Sequence, residues 1–167
     1  MNIDKCISII EKQEELLRFP HFNRKDAWKL GHLMASRVLQ ENLVLCVGIR
    51  LLSGMSLFLY ASEGAAINNE NWMARKWSSV REMEMSSLRN GLLFKKKNQT
   101  LEGRGLDAKN FALSGGGFPI HVKNTGVIGA VTASGLPHLE DHEFIVESLS
   151  RFLKIKDVPR VPLDAAV

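Results

Sequence analysis

Apolar positions along this chain follow one of two periods, and the switches between them mark its elements. From Ile3 to Leu17 the period is helical. Ile3, Ile7, Ile10, Glu14 and Leu17 fall on one side with charges around them, which predicts a short amphipathic helix. Phe19-Pro20 ends it, because a residue before proline is steered out of the α region. Asn23 is a good N-cap and Asp26 an acid in the first turn. A second helix is therefore predicted from there to about Glu41, with Ala27, Leu30, Met34 and Val38 on its apolar side. The unbroken apolar run Leu43–Ile49 has strand length and predicts a central strand covered on both faces. Ser53-Gly54 predicts a turn and Met55–Tyr60 a second strand, together a hairpin.

A third helix is predicted over Asn69–Asn90, with Trp72 or Met73, Lys76 or Trp77, and Val80 on its 3.6-residue period and Gly91 placed as its C-terminal stop. Leu92–Leu106 is polar, basic and glycine-containing, and reads as a loop or a short strand. Phe118–Lys123 alternates as a strand, Asn124-Thr125-Gly126 turns, and Val127–Ser134 gives another strand. Gly135-Leu136-Pro137 then breaks the chain ahead of a last helix from about His138 to Lys154. With the short strand included, the prediction is one α+β domain over residues 1–154, with helices packed on a mostly antiparallel five-stranded sheet. An extended tail, 155–167, follows.

Composition agrees with a single packed domain: 167 residues, 45% apolar and 24% charged. The two cysteines, Cys6 and Cys46, stand in no metal-ligand spacing, and Cys46 lies within an apolar run as a buried thiol would. Low cysteine usage and a charged first segment unlike a secretion signal point to the cytoplasm. No stretch reaches the roughly 18 apolar residues of a membrane span. The net charge is +4, and the one dense basic run, Lys95-Lys96-Lys97, is not part of a basic face interleaved with aromatics of the kind that nucleic-acid binding would want. A solvated loop is expected there, not a nucleic-acid site.

Three clusters could carry chemistry. The first is Ser114-Gly115-Gly116-Gly117, whose bare amides could cradle an anion. A strand follows it, however, so neither a Walker nor a dinucleotide fingerprint fits. It reads as a tight turn or bulge, or as part of a pocket or subunit contact. The second is Pro137–Glu143. Counting back from Ile145, Val146, Leu149 and Phe152 puts His138 and His142 on the apolar side of the last helix. Histidines at that spacing can chelate a metal, but Leu139 stands where a zincin has glutamate, and no metal is assigned. A packed, hydrogen-bonded pair or a place in an organic-ligand pocket are the remaining readings. The third cluster places Arg75 and Lys76 among the aromatics Trp72 and Trp77 on one helix. They could hold a carboxylate, or lie on the surface with their stems over apolar atoms. No Gly-X-Ser-X-Gly elbow and no Ser-His-Asp order is visible.

Set side by side, three stretches resemble the haem-degrading domain family of HbpS, GlcG and the PduO C-terminal domain. They are Phe111-Ala-Leu-Ser-Gly-Gly-Gly-Phe-Pro-Ile-His-Val-Lys, Gly126-Val-Ile-Gly-Ala-Val-Thr-Ala-Ser-Gly-Leu-Pro and Glu140-Asp-His-Glu. The chain is most similar to the cytoplasmic branch of unknown function, through Asn71-Trp72, Arg75-Lys76 and Ser86-Ser87 as well. The resemblance runs from roughly Leu16 to Leu153. It implies a profilin-like fold with helices on both faces of the sheet, and self-assembly into homodimers or larger homo-oligomers. Some relatives bind or degrade haem, or bind a corrinoid. Ser114 stands where the branch often has histidine and Ala133 where valine is usual, so no axial ligand is carried over. The expectation is an oligomeric domain that binds a small anionic organic ligand, haem being one. Its candidate residues are Trp72, Arg75, Lys76, Ser114, Gly115, Gly116, Phe118, His138, Asp141 and His142. The alternatives are a non-catalytic assembly or adaptor protein and a haem-degrading or metal-dependent enzyme. Neither nucleic acid nor membrane is an expected partner.

Overall fold

Asn23 does what its chemistry predicts. In the computed structural model, which describes residues 2–165, its side chain accepts from the Asp26 backbone N–H at 2.9 Å. The Asp26 carboxylate accepts from the Asn23 N–H at 2.9 Å in return. This capping box opens helix α2 (Arg24–Gln40), which follows α1 (Ile3–Leu16). Strands β1 (Cys46–Leu51) and β2 (Ser56–Ala61) form the expected antiparallel hairpin. Helices α3 (Ile67–Met83) and α4 (Ser87–Lys96), a 3₁₀ turn at Glu102–Arg104, strands β3 (Gly117–Val122) and β4 (Gly126–Ser134), and helix α5 (His138–Leu153) complete the order.

The sheet has four strands, not five, in the order β2-β1-β4-β3, and every neighbouring pair is antiparallel. The supposed short strand in Leu92–Leu106 is instead the end of α4 and the 3₁₀ turn. The long third helix is also two helices. Glu84 adopts the left-handed conformation (φ 53°) and ends α3, and the Ser86 side chain then caps α4 by accepting from the Arg89 N–H. A new helix forms because Leu88 and Leu92 bury against Cys6, Ile7 and Ile10 of α1. Lys95 and Lys96 occupy its last turn, where cations suit the helix dipole. Gly91 is no stop at all. It lies inside α4, where a Cβ would stand 2.0 Å from the Leu113 carbonyl oxygen.

The two faces of the sheet are built differently. Val47, Ile49, Phe118, Ile120, Val131 and Ala133 pack with Leu30 and Met34 of α2 and Ile145 and Leu149 of α5 in the main core. Burying each such side chain contributes about 1.5–3 kcal/mol. The opposite face offers the small residues Gly48, Gly117, Ala130 and Thr132, and α3 lies close over them with Trp77 and Val80. Phe19 covers the outer edge of β3. Its N–H donates to the His121 carbonyl and its carbonyl accepts from the Lys123 N–H, both at 2.8 Å.

Residues 155–165 contain neither helix nor strand, yet they are part of the packing. Val158, Val161 and Ala165 are buried, the last two in the cluster with Ile7, Ile10 and Leu139. Among the described residues no helix is long and apolar enough to cross a membrane.

Candidate functional site

The ten candidate residues separate into a buried set and a set that is partly or fully exposed. Lys76 is the hub of the first. It faces the sheet from α3, with only 4% of its side chain exposed. Its Nζ donates to Asp141 Oδ2 and to the Ala133 carbonyl, both at 2.9 Å. Asp141, in the first turn of α5 and equally buried, also accepts at Oδ1 from the Leu136 N–H at 3.0 Å. Burial pushes the Lys76 ammonium below the usual lysine range, opposed by the Asp141 charge. Burial likewise raises the Asp141 carboxyl, opposed by Lys76 and by the backbone donors at Leu136 and Gly135. The pair ties α3, the end of β4 and the start of α5 at one point.

The glycine run packs directly on this pair. At Gly116 (φ 113°) a Cβ would meet the Ala133 carbonyl at 2.4 Å and Lys76 Nζ at 2.6 Å. At Gly115 it would meet the His138 carbonyl at 2.2 Å. Gly117 donates its N–H to Ser87 Oγ at 2.9 Å. All three glycines are buried, the side where a side chain would stand is taken up by the protein's own atoms, and the Gly117 amide is already engaged. Phe118 belongs to the main core.

His142 is fully buried, and its state follows from its neighbour. Gln13 donates from Nε2 to Glu143 Oε1 at 2.9 Å and to the Pro159 carbonyl at 2.8 Å, which fixes its amide orientation. Gln13 Oε1 can then only accept, so His142 Nε2, 2.8 Å away, carries the proton. His142 Nδ1 is left buried without a partner. Burial pushes the imidazole down to about 3, so it is neutral and held as a packing element. The shared apolar side expected for both histidines holds for His142 alone. His138, at the first position of α5, lies beyond the buried stripe and is exposed.

The exposed set does converge. Trp72, Arg75, Ser114 and His138 line one open cleft of about 350 Å³ with Phe111 and Leu113, between α3, the segment ahead of β3 and the start of α5. The Arg75 guanidinium lies over the Trp72 ring, 4.0 Å from its centroid, and its Nε is buried with no hydrogen-bond partner. Among the described residues no carboxylate pairs with it. Partial burial and the nearby Lys76 charge hold the His138 imidazole below the usual histidine range. A cation without a counter-ion, a neutral imidazole, a hydroxyl and three aromatic or aliphatic walls make a site suited to a flat organic anion. No three His, Cys, Asp or Glu side chains among the described residues converge as metal ligands. Sequence reasoning missed Phe111 and Leu113 as walls, and Gln13, Ser79 and Ser87 as buried polar partners. Ser79 Oγ donates to the Ala112 carbonyl at 2.6 Å and so fixes the segment that forms one side of the cleft. Ser87 is part of the family resemblance, but nothing local gives either serine's partner, which lies 30 or more residues away.

Residues 22–150 match the family profile described as "Haem degrading protein HbpS-like". A UPF0303 protein of Rhizobium rhizogenes is 43% identical over 150 residues, covering 90% of this chain and 92% of its own. Among solved structures, the Ybr137w protein is similar with a TM-score of 0.81 and 28% identity over 90% of each chain. The PduOC:Heme complex is similar in fold, with a TM-score of 0.64 and 17% identity over 78% of this chain and 94% of its own.

Proposed function

The chain belongs to the HbpS-like haem-degrading protein family, and from that premise we propose that it is a ligand-binding domain whose open cleft takes a flat organic anion, with haem the first ligand to test. The observation that carries this reading is Arg75. Its guanidinium is pre-placed on the Trp72 ring, one nitrogen is already desolvated, and no carboxylate of the chain satisfies it. Such a group is set up for a carboxylate supplied from outside. The donor set fits haem. His138 supplies the cleft's one imidazole, Arg75 a partner for a propionate, and Trp72, Phe111 and Leu113 apolar contact with a ring. His142 is not available for that role, because Gln13 occupies Nε2 and burial closes off Nδ1. That a structure of similar fold was solved as a haem complex supports the choice. Bound there, haem would supply redox chemistry of its own, while the chain binds and orients it.

Titration with haemin tests this, read as a Soret shift and as quenching of tryptophan emission. The expected outcome is saturable binding that weakens about tenfold or more in Arg75→Gln and whose Soret position changes in His138→Ala but not in His142→Asn. Iron-free protoporphyrin should still bind through Arg75. An unchanged spectrum and unchanged emission with both porphyrins would overturn the proposal.

A second reading, self-assembly, rests on a separate observation. Trp28, Leu39 and Ile67 are 60%, 64% and 68% exposed, and β2 is a free sheet edge with Leu59 half exposed. Light scattering should then give a mass that is a multiple of 18.7 kDa. A monomer at all concentrations would remove this reading.

A further inference from the structure

The far end of α5 carries a second concavity with a different chemistry. It is a groove of about 650 Å³ where four chain segments meet: the end of α1, the first turns of α2, the β3–β4 turn and the end of α5. Its floor is apolar. Phe19 and Phe152 lie 6.1 Å apart by ring centroids, with Leu153 and Ile155 beside them. Its rim is cationic. Each of the four segments contributes one charge: Arg18, Lys29, Lys123 and Lys154.

None of these four cations pairs with a carboxylate among the described residues. The single acid of the groove, Asp26, is already engaged by His21 Nδ1 at 3.1 Å and by the Asn23 N–H. Arg18 and Lys154 follow the C-terminal ends of α1 and α5, where cations are favoured in any case. Lys29 and Lys123 have no such reason to be there. Lys29 is within α2, and Lys123 follows β3, held in place by its backbone bond to the Phe19 carbonyl. Four like charges around one apolar floor repel each other, and the single Asp26 carboxylate offsets only part of that repulsion, so a further anion among them is favoured. The volume is that of a small-molecule site.

From this complementarity we infer a second binding site, for a single small amphiphilic anion: an apolar body on Phe152 and Ile155 with a carboxylate head between Lys29, Lys123 and Lys154. It is independent of the porphyrin cleft, since His138 opens α5 and Lys154 follows its last residue, at opposite ends of a 16-residue helix.

Decanoate, kept below its micelle-forming concentration, is the probe, and amide chemical shifts of the full chain are the readout. Decanoate should move the signals of Lys123 and Phe152–Ile155 and leave those of Trp72 and Ser114 in place. The double variant Lys29→Gln/Lys123→Gln, whose side chains are exposed and in no hydrogen bond or ion pair among the described residues, should weaken binding about tenfold or more. Lys95→Gln/Lys96→Gln should leave it unchanged. Decanol should bind at least about tenfold more weakly than decanoate. Equal binding of decanol and decanoate, or no shifts at the groove, would overturn the inference. So would sedimentation with phosphatidylglycerol vesicles through Lys29 and Lys123 in the absence of any decanoate effect, which would make the groove a membrane contact.

Discussion

Lys76 Nζ and Asp141 Oδ2 stand 2.9 Å apart although 65 positions separate them in sequence, and both side chains are almost wholly removed from water. The lysine follows Arg75, whose guanidinium faces the open cleft, so two adjacent cations on one helix have opposite surroundings. Removing one partner of a buried pair leaves the other charge uncompensated. Lys76→Met is expected to cost about 3–5 kcal/mol of folding stability. The double variant Lys76→Met/Asp141→Leu should be more stable than Lys76→Met alone. Urea unfolding of the single and double variants measures both.

Arg75→Gln should behave in the contrary way. It gives up a cation–π contact of about 0.5–1 kcal/mol and no ion pair. Its urea midpoint should stay close to that of the parent while porphyrin binding weakens. A loss of stability as large as that of Lys76→Met would mean that Arg75 is part of the packing and not of a ligand site.

Acid should destabilise the fold through His142. Its imidazole is held down to about 3 in the folded state against an ordinary 6.5. The unfolded chain therefore takes up the proton first as pH falls. Stability is complete above about pH 6.5 and declines down to about pH 3, by at most about 5 kcal/mol. His138 titrates in the same direction on a smaller scale, being exposed. Urea midpoints between pH 7 and 4 should fall steeply in the parent and in His138→Ala, and much less steeply in His142→Asn.

The last residues hold that histidine in its buried state. The Pro159 carbonyl accepts one Gln13 proton, the Val161 N–H donates to Glu143 Oε1 at 3.0 Å, and Arg160 pairs with Glu143 and Glu147. Deleting residues 158–167 should free Gln13, admit water to His142 and move its pKa back up toward 6.5. Imidazole proton shifts recorded against pH would show this. A His142 pKa still near 3 in the truncated chain would show that α1 and α5 bury it unaided.

What the sequence made legible was local. The Asn23 N-cap, the β1–β2 hairpin and the start of α5 are written in nearby residues, and all three form, although β1 begins at Cys46 and not at Leu43. The break at Glu84 was not legible, because the left-handed residue there is not a glycine and α4 depends on packing against α1, more than 70 positions away. The fifth strand was lost for the same reason. At the site, helical phase found the buried side of α5 but not where that side ends, so His138 and His142 came out as a pair when only one is enclosed. Arg75 and Lys76 could not be told apart either, since the difference lies in Asp141, on another element.

Gly91 and Gly115 share a property that bears on how this chain can change over time. Each faces the backbone carbonyl of a distant residue, Leu113 or His138, at a distance no side chain could tolerate. A tight contact between two side chains can be relieved by shrinking either one. Here the atom that a new side chain would meet belongs to the main chain, so no substitution at position 113 or 138 can make room. A lineage that loses either glycine has no compensating partner position to adjust, and must move a whole segment of main chain or revert.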